Sequence, residues 1–241
     1  EDTFSILTQK VANFDLSEAK RRVDQLLSLA DEYECDLITW EDQDYPPQLR
    51  HLSDAPVYFF KRGKFEPSDM VSIAIVGTRN FTAYGKSITQ DIVAALASRK
   101  ITIVSGFMRG IDTIAHVTAL KNNTRTIAVL GSGMQYPAPP ENKNLIPQVI
   151  QNGVLFSEFD IDQMATNYTF PVRNRIVAAL SKATVVIEAG EKSGALITAR
   201  FAGEQGKDVY AVPGSLHSRS SAAANWLLAN GAYPVVSTPR I

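Results

Sequence analysis

The sequence predicts a doubly wound, mostly parallel α/β sheet with a small helical module at its N-terminal side, and three observations carry that prediction. Short β-branched apolar runs alternate with helical segments from Val71 to Val236. The runs are apolar throughout instead of alternating with polar residues, as expected of parallel strands covered by helices on both faces. Most of them end in glycine, several with Ser or Thr alongside, at the point where a strand turns into a helix.

Taken in order, Leu16, Ala19, Val23, Leu26, Leu27 and Ala30 recur at three- and four-residue steps behind Ser17, an expected N-cap, and Glu18, Lys20, Arg21, Arg22 and Asp24 fill the opposite face. This is an amphipathic helix of about four turns. The stretch Tyr45-Pro46-Pro47 to Asp54-Ala55-Pro56 then breaks helical continuity. Residues 1–56 are accordingly read as a small helical module and linker, and residues 57–241 as the α/β domain; the same pattern also suits a segment that pads the edge of the sheet. Val57 to Phe60 is a candidate edge strand. The expected strands then follow as Val71–Gly77, Ile101–Gly106, Thr126–Gly131, Val154–Phe159, Thr184–Gly190, Val209–Gly214 and Tyr233–Val236. Between them lie helical segments at Tyr84–Arg99, Ile111–Lys121, Glu141–Asn152, Asn174–Lys182, Ala195–Gly206 and Ser221–Asn230.

Composition narrows the function classes. The 241 residues are 45% hydrophobic, enough for a substantial core, and the formal net charge of −1 argues against a protein that coats nucleic acid by bulk positive charge. Any nucleic-acid contact is therefore expected at a local site. A single cysteine, Cys35, excludes an internal disulfide, and no His/Cys spacing suggests a metal site. No apolar run reaches the ~20 residues of a membrane span and Glu1 to Lys10 lacks the order of a signal peptide, so a cytoplasmic protein is expected.

In doubly wound sheets ligands bind beyond the carboxyl ends of the strands. There the sequence places Gly77-Thr78-Arg79, Ser105-Gly106 followed by Gly110-Ile111-Asp112, Gly131-Ser132-Gly133 and Gly214-Ser215. Glycine with a hydroxyl residue at such a turn lets backbone N–H groups and a helix N-terminus face a phosphate, although glycine there also has a plain packing role. Neither a full dinucleotide-binding glycine motif nor a Walker-type loop is present, so no nucleotide cofactor is expected. Phe170-Pro171-Val172-Arg173-Asn174-Arg175 adds two guanidinium groups near a helix start and a ring on which a base could stack. The same residues equally suit a core phenylalanine and surface ion pairs. Asp112 reads as a helix cap or dipole partner. Glu158 and Glu188 stand near strand ends, but His51, His116 and His217 fall outside any nucleophile–base spacing, and no catalytic residue is nominated.

These motifs together resemble the DNA-processing protein A (DprA/Smf) family. The resemblance rests on Ile75-Val76-Gly77-Thr78-Arg79 with Tyr84-Gly85, Val104-Ser105-Gly106 with Gly110-Ile111-Asp112, Phe170-Pro171-x-Arg173-Asn174-Arg175-Ile176, Glu188-Ala189 with Ser193-Gly194-Ala195-Leu196-Ile197-Thr198-Ala199, and Ala211-Val212-Pro213-Gly214, in order over about 165 residues. It implies a Rossmann-like fold, no catalytic chemistry, no cofactor and no metal. The implied function is binding of single-stranded DNA, commonly as a homodimer, protecting incoming DNA and loading the RecA recombinase during natural transformation. By motif match the implied DNA-binding residues are Gly77, Thr78, Arg79, Ser105, Gly106, Arg125, Phe170, Arg173, Asn174, Arg175, Ser193 and Gly194, with all four arginines in one pocket. Phe107-Met108 departs from the small residues the family places before Arg-Gly-Ile-Asp, which predicts altered packing or pocket width. Many members continue past the position of Ile241 into a winged-helix-like module, and residues 1–56 are short for the family's helical N-terminal domain, as a truncation at Glu1 would leave them.

Two other classes compete. An enzyme reading is a nucleotide-cleaving phosphoribohydrolase of the lysine-decarboxylase-like group, but Glu188-Ala189-Gly190-Glu191-Lys192-Ser193-Gly194 lacks that group's glycine run and following acid. A protein-interaction scaffold would instead leave nucleic-acid binding indifferent to Arg79.

Overall fold

The computed structural model describes residues 15–237, so residues 1–14 of the expected N-terminal module lie outside it. Helix α1 (Leu16–Glu32) is capped by Asp15, whose carboxylate accepts from the backbone N–H groups of Ser17 and Glu18. The expected cap, Ser17, is one turn residue inside. A charged oxygen next to the first unpaired N–H groups outcompetes a hydroxyl placed within the helix, because only a residue before the first turn can reach back to them.

Next come β1 (Asp36–Thr39) and β2 (Tyr58–Gly63), which pair antiparallel. The strand β1 was not expected: its four residues carry too short a pattern to separate from a turn. The Pro-containing stretch between them folds as a short 3-10 segment, Pro47–His51. Its Tyr45 and Leu49 are buried in the main core, and the Tyr45 hydroxyl donates to the Pro56 carbonyl at 2.7 Å. Residues 36–56 thus contribute a strand and core side chains to the sheet's edge.

The alternating part follows the predicted order: β3 (Ser72–Val76), α2 (Ala83–Ala97), β4 (Thr102–Ser105), α3 (Ile111–Lys121), β5 (Thr126–Val129), α4 (Ile146–Gln151), β6 (Gly153–Ser157), α5 (Thr169–Leu180), β7 (Ala183–Val186), α6 (Gly194–Glu204), β8 (Asp208–Ala211), α7 (Ala222–Ala229) and β9 (Tyr233–Pro234). The described strands form one nine-stranded sheet of order β1-β2-β6-β5-β4-β3-β7-β8-β9. Only β1–β2 and β2–β6 are antiparallel. Every residue of β4, β5, β6 and β7 is buried, which is why their sequences are apolar without alternation. One face packs on α5, α6 and the 3-10 segment; the other packs on α2 and α3 around Ile75, Ile92, Ile103 and Val185. The fold is the Rossmann-like doubly wound class.

The strands expected to run to Gly190 and Gly214 end at Val186 and Ala211, and two helix starts move by several residues. The helix expected from Glu141 is a 3-10 turn, Pro140–Leu145, before the short α4. Helix α5 starts at Thr169, five residues before the expected Asn174, because Pro171 falls in the first turn, where no N–H partner is required.

Candidate nucleic-acid interface

Strand order reverses at β3. From β3 the chain adds β4, β5 and β6 on one side, then returns to place β7 and β8 on the other. The connections that leave the carboxyl ends of β3 and β7 consequently diverge, and a crevice opens between them. A cavity of about 550 Å³ fills this crevice, lined from three strand ends and from the N-terminal parts of α3, α5 and α6.

The turns fit together because glycines let them approach. A side chain at Gly77 would meet Ile111 Cγ1 at 2.6 Å and the Glu188 carbonyl at 3.0 Å. That spacing allows the Thr78 N–H to donate to the Glu188 carbonyl at 2.7 Å and the Ile111 N–H to donate to Thr78 at 3.2 Å, tying β3, β7 and α3. At Gly106 a side chain would stand 2.7 Å from both Arg173 Nη2 and Asp112 Oδ2.

Of the twelve residues predicted to bind, nine line the cavity: Gly77, Thr78, Arg79, Gly106, Phe170, Arg173, Asn174, Ser193 and Gly194. Their roles differ. Arg79 is exposed, with its guanidinium carbon 5.5 Å from the centroid of the half-buried Phe170 ring, and no carboxylate pairs with it among the described residues. Arg173 is 2% exposed and donates through Nη1 to the carbonyls of Gly106 and Val129, and through Nε to Asn174 Oδ1 at 3.1 Å. Burial, then the neighbouring Arg79, lowers Arg173 to about 10, with Asp112 opposing. Asn174 Nδ2 in turn donates to the Gly194 carbonyl at 3.2 Å, and the Ser193 hydroxyl caps α6 by accepting from Ala195 N–H. The cavity thus joins one exposed guanidinium on an aromatic ring to a helix N-terminus that attracts anions.

Three expected residues do not reach it. The Ser105 hydroxyl is fully buried and donates to the Ile75 carbonyl at 2.6 Å. Arg125 precedes β5 and so stands at the opposite end of the sheet, where it bonds Asp69, Glu66 and the Lys64 carbonyl. Arg175 turns to the far flank of α5 and binds both oxygens of Glu158, with Asp54 at 2.7 Å. Placing all four arginines in one pocket is corrected to two, because those of Arg125 and Arg175 are consumed by carboxylates elsewhere.

The cavity also contains residues the sequence did not nominate as ligand contacts, among them Met108, Asp112, Asn167 and Lys192. Asp112 is 7% exposed and accepts from the Met108 N–H at 3.3 Å; burial, opposed chiefly by Arg173, raises its carboxyl to about 6. Its position in the first turn of α3 hid it among acids that cap or complement a helix start. Phe107 turns its fully buried ring away into the core against His116, at a φ of 57°, so the departure at Phe107-Met108 alters the cavity wall only through Met108. His116 Nδ1 pairs with Thr126 Oγ1 at 2.8 Å, and burial holds the ring near 3, hence neutral. Neither strand-end glutamate is free: Glu188 accepts from the Thr82 N–H and hydroxyl, and Glu158 pairs with Arg175. Among the described residues no group of His, Cys, Asp and Glu could hold a metal, and no helix is long and apolar enough to cross a membrane.

Residues 36–241 match the family described as DNA recombination-mediator protein A. The chain is 37% identical over 236 residues to Protein Smf of Escherichia coli, covering 98% of this chain and 63% of that relative. It is 37% identical over 196 residues to DNA processing protein DprA of Streptococcus pneumoniae, covering 81% of this chain and 69% of that one. The solved structure of the Streptococcus pneumoniae protein superposes with a TM-score of 0.80 at 35% identity, over 88% of this chain and 75% of that one. A second, from Helicobacter pylori, described for its single-stranded DNA binding mode, gives 0.74 at 30% identity over 84% and 92%. This chain spans 63% and 51% of the length of its Escherichia coli and Synechocystis relatives.

Proposed function

The chain belongs to the DNA recombination-mediator protein A family, and from that premise we propose that it binds single-stranded DNA in the crevice between β3 and β7, making and breaking no bond. The carrying observation is Arg79: a cation without a carboxylate partner among the described residues, resting on an aromatic face at the mouth of a cavity bounded by helix N-termini. When a strand enters, the guanidinium takes a phosphate and leaves the Phe170 face to a base, a contact worth about 1–3 kcal/mol per base. Arg173, Asn174, Gly106 and the turn at Ser193-Gly194 shape the cavity and offer backbone groups. The single-strand reading also draws support from the Helicobacter pylori relative, described as binding single-stranded DNA. In the cell this activity would protect incoming DNA in the cytoplasm and deliver it, from a homodimer, to the RecA recombinase. A paired duplex cannot splay its bases into such a cavity and should bind more weakly.

Fluorescence anisotropy of labelled oligo-dT and a matched duplex tests this, with wild type beside Arg79→Ala. The expected result is a single-strand preference and at least a tenfold loss on substitution without loss of fold. Equal affinity of the two proteins for oligo-dT would overturn the reading.

A further inference from the structure

The cavity floor does not suit a plain anion site. Asp112, a nearly buried carboxylate, forms part of its wall. A buried carboxylate kept charged commonly accepts two or three good hydrogen bonds; here the Met108 N–H stands at a long 3.3 Å, the Gly106 N–H contributes less than it does, and the neighbouring Ser105 hydroxyl gives its proton to the Ile75 carbonyl. Arg173 faces it but spends Nη1 and Nε on carbonyl and amide oxygens. The floor pair therefore sums to no net charge, and an arriving phosphate meets the carboxylate in a region screened little by water.

We propose that Asp112 takes up one proton from solvent when a single strand occupies the cavity, so that single-stranded DNA binding is proton-coupled. This rests on the single-strand reading above. The added proton turns the carboxylate into a neutral carboxyl, which supplies an O–H donor where a phosphate oxygen needs one, and leaves the Arg173 charge unopposed. Every charged neighbour bears on the step. Arg173 from α5, Arg79 from the β3–α2 turn, and Lys192 from the loop before α6 oppose protonation; Glu191 from that loop favours it. Arg109 stands on the turn just before α3, and His116, one turn along α3, stays neutral. Burial already places the free carboxyl near 6. A phosphate beside it moves it higher, so affinity rises by up to tenfold per pH unit as pH falls towards 6 and levels off below.

The test is oligo-dT without a terminal phosphate, titrated at constant ionic strength from pH 5.5 to 7.5 with wild type, Asp112→Asn and a His51→Gln/His217→Gln double variant that removes both exposed imidazoles. Calorimetry at pH 6.5 in two buffers of different ionisation enthalpy counts protons directly. Expected are about tenfold tighter binding at pH 6 than at 7.5 for wild type and the double variant, a flat profile for Asp112→Asn, and net proton uptake. A flat wild-type profile, a slope that survives Asp112→Asn, a slope lost in the double variant, or no uptake would each overturn the proposal. Should Asp112→Asn fail to fold, the proton count on wild type and the double variant decides. An Arg79→Ala protein that binds as wild type does instead removes the single-strand reading itself, whatever the pH profile.

Discussion

Replacing Arg175 by alanine separates a structural arginine from a DNA-binding one. The side chain is 7% exposed and closes an ion network in which Glu158, at 18%, holds two of its nitrogens and Asp54, at 64%, a third. It also donates to the Asp54 carbonyl at 2.9 Å, so it pins the 52–56 stretch to α5. Breaking one partner of a buried pair costs about 3–5 kcal/mol, mostly from the charge left behind. Asp54 regains water fully and Glu158 partly, which places the expected loss near the bottom of that range, about 3 kcal/mol. For a chain of this size such a loss lowers the melting temperature by roughly 6–12 °C. The assay is urea and thermal unfolding of wild type and Arg175→Ala, with oligo-dT affinity measured well below the melting range. Lower stability with affinity within twofold is the expected outcome. Unchanged unfolding with a tenfold or greater loss of affinity would refute the reasoning and return Arg175 to the DNA site.

Arg125→Ala should likewise destabilise, by about 2 kcal/mol, because Asp69 is 3% exposed and keeps, among the described residues, the Thr102 hydroxyl and the Glu66 N–H as donors; anisotropy should show oligo-dT affinity unaltered. Gly106→Ala forces a methyl to 2.7 Å from both Arg173 and Asp112, which should cost about 1–3 kcal/mol in urea unfolding and weaken oligo-dT binding several-fold. Stability against pH carries two opposed signatures. Asp112, raised from 3.8 to about 6, gives the native state a proton the unfolded chain lacks between those values, so its contribution falls as pH rises through the window. His116, lowered from 6.5 to about 3, does the reverse, losing stability as pH falls below 6.5. Between pH 4 and 6 the two cancel proton for proton, and Asp112→Asn should therefore make the unfolding free energy fall more steeply with acid than in wild type, by up to about 1.4 kcal/mol per pH unit; parallel curves for the two proteins would contradict it.

What was legible in the sequence follows from how far a pattern reaches. Fully buried strands announce themselves as β-branched runs ending in glycine, because each residue meets a helix layer on one face or the other, and the strand-end turns of the crevice were found for that reason. The short β1 was not, since four residues with mixed exposure carry no periodicity. The arginines show where motif reading stops and geometry starts. Arg173 and Arg175 sit in one motif, but α5 already runs from Thr169, and two steps along a helix rotate a side chain by about 200°. One guanidinium therefore enters the crevice while the other turns to Glu158 and Asp54. Arg125 illustrates the same limit along a strand. It precedes β5, and four residues of extended chain span about 13 Å, so a side chain before the strand lies a full sheet width from ligands held beyond its carboxyl end. A cation's distance from the site in such a fold is set by which end of its strand it occupies, and carboxylates such as Asp69 at the far end are what such a cation meets instead.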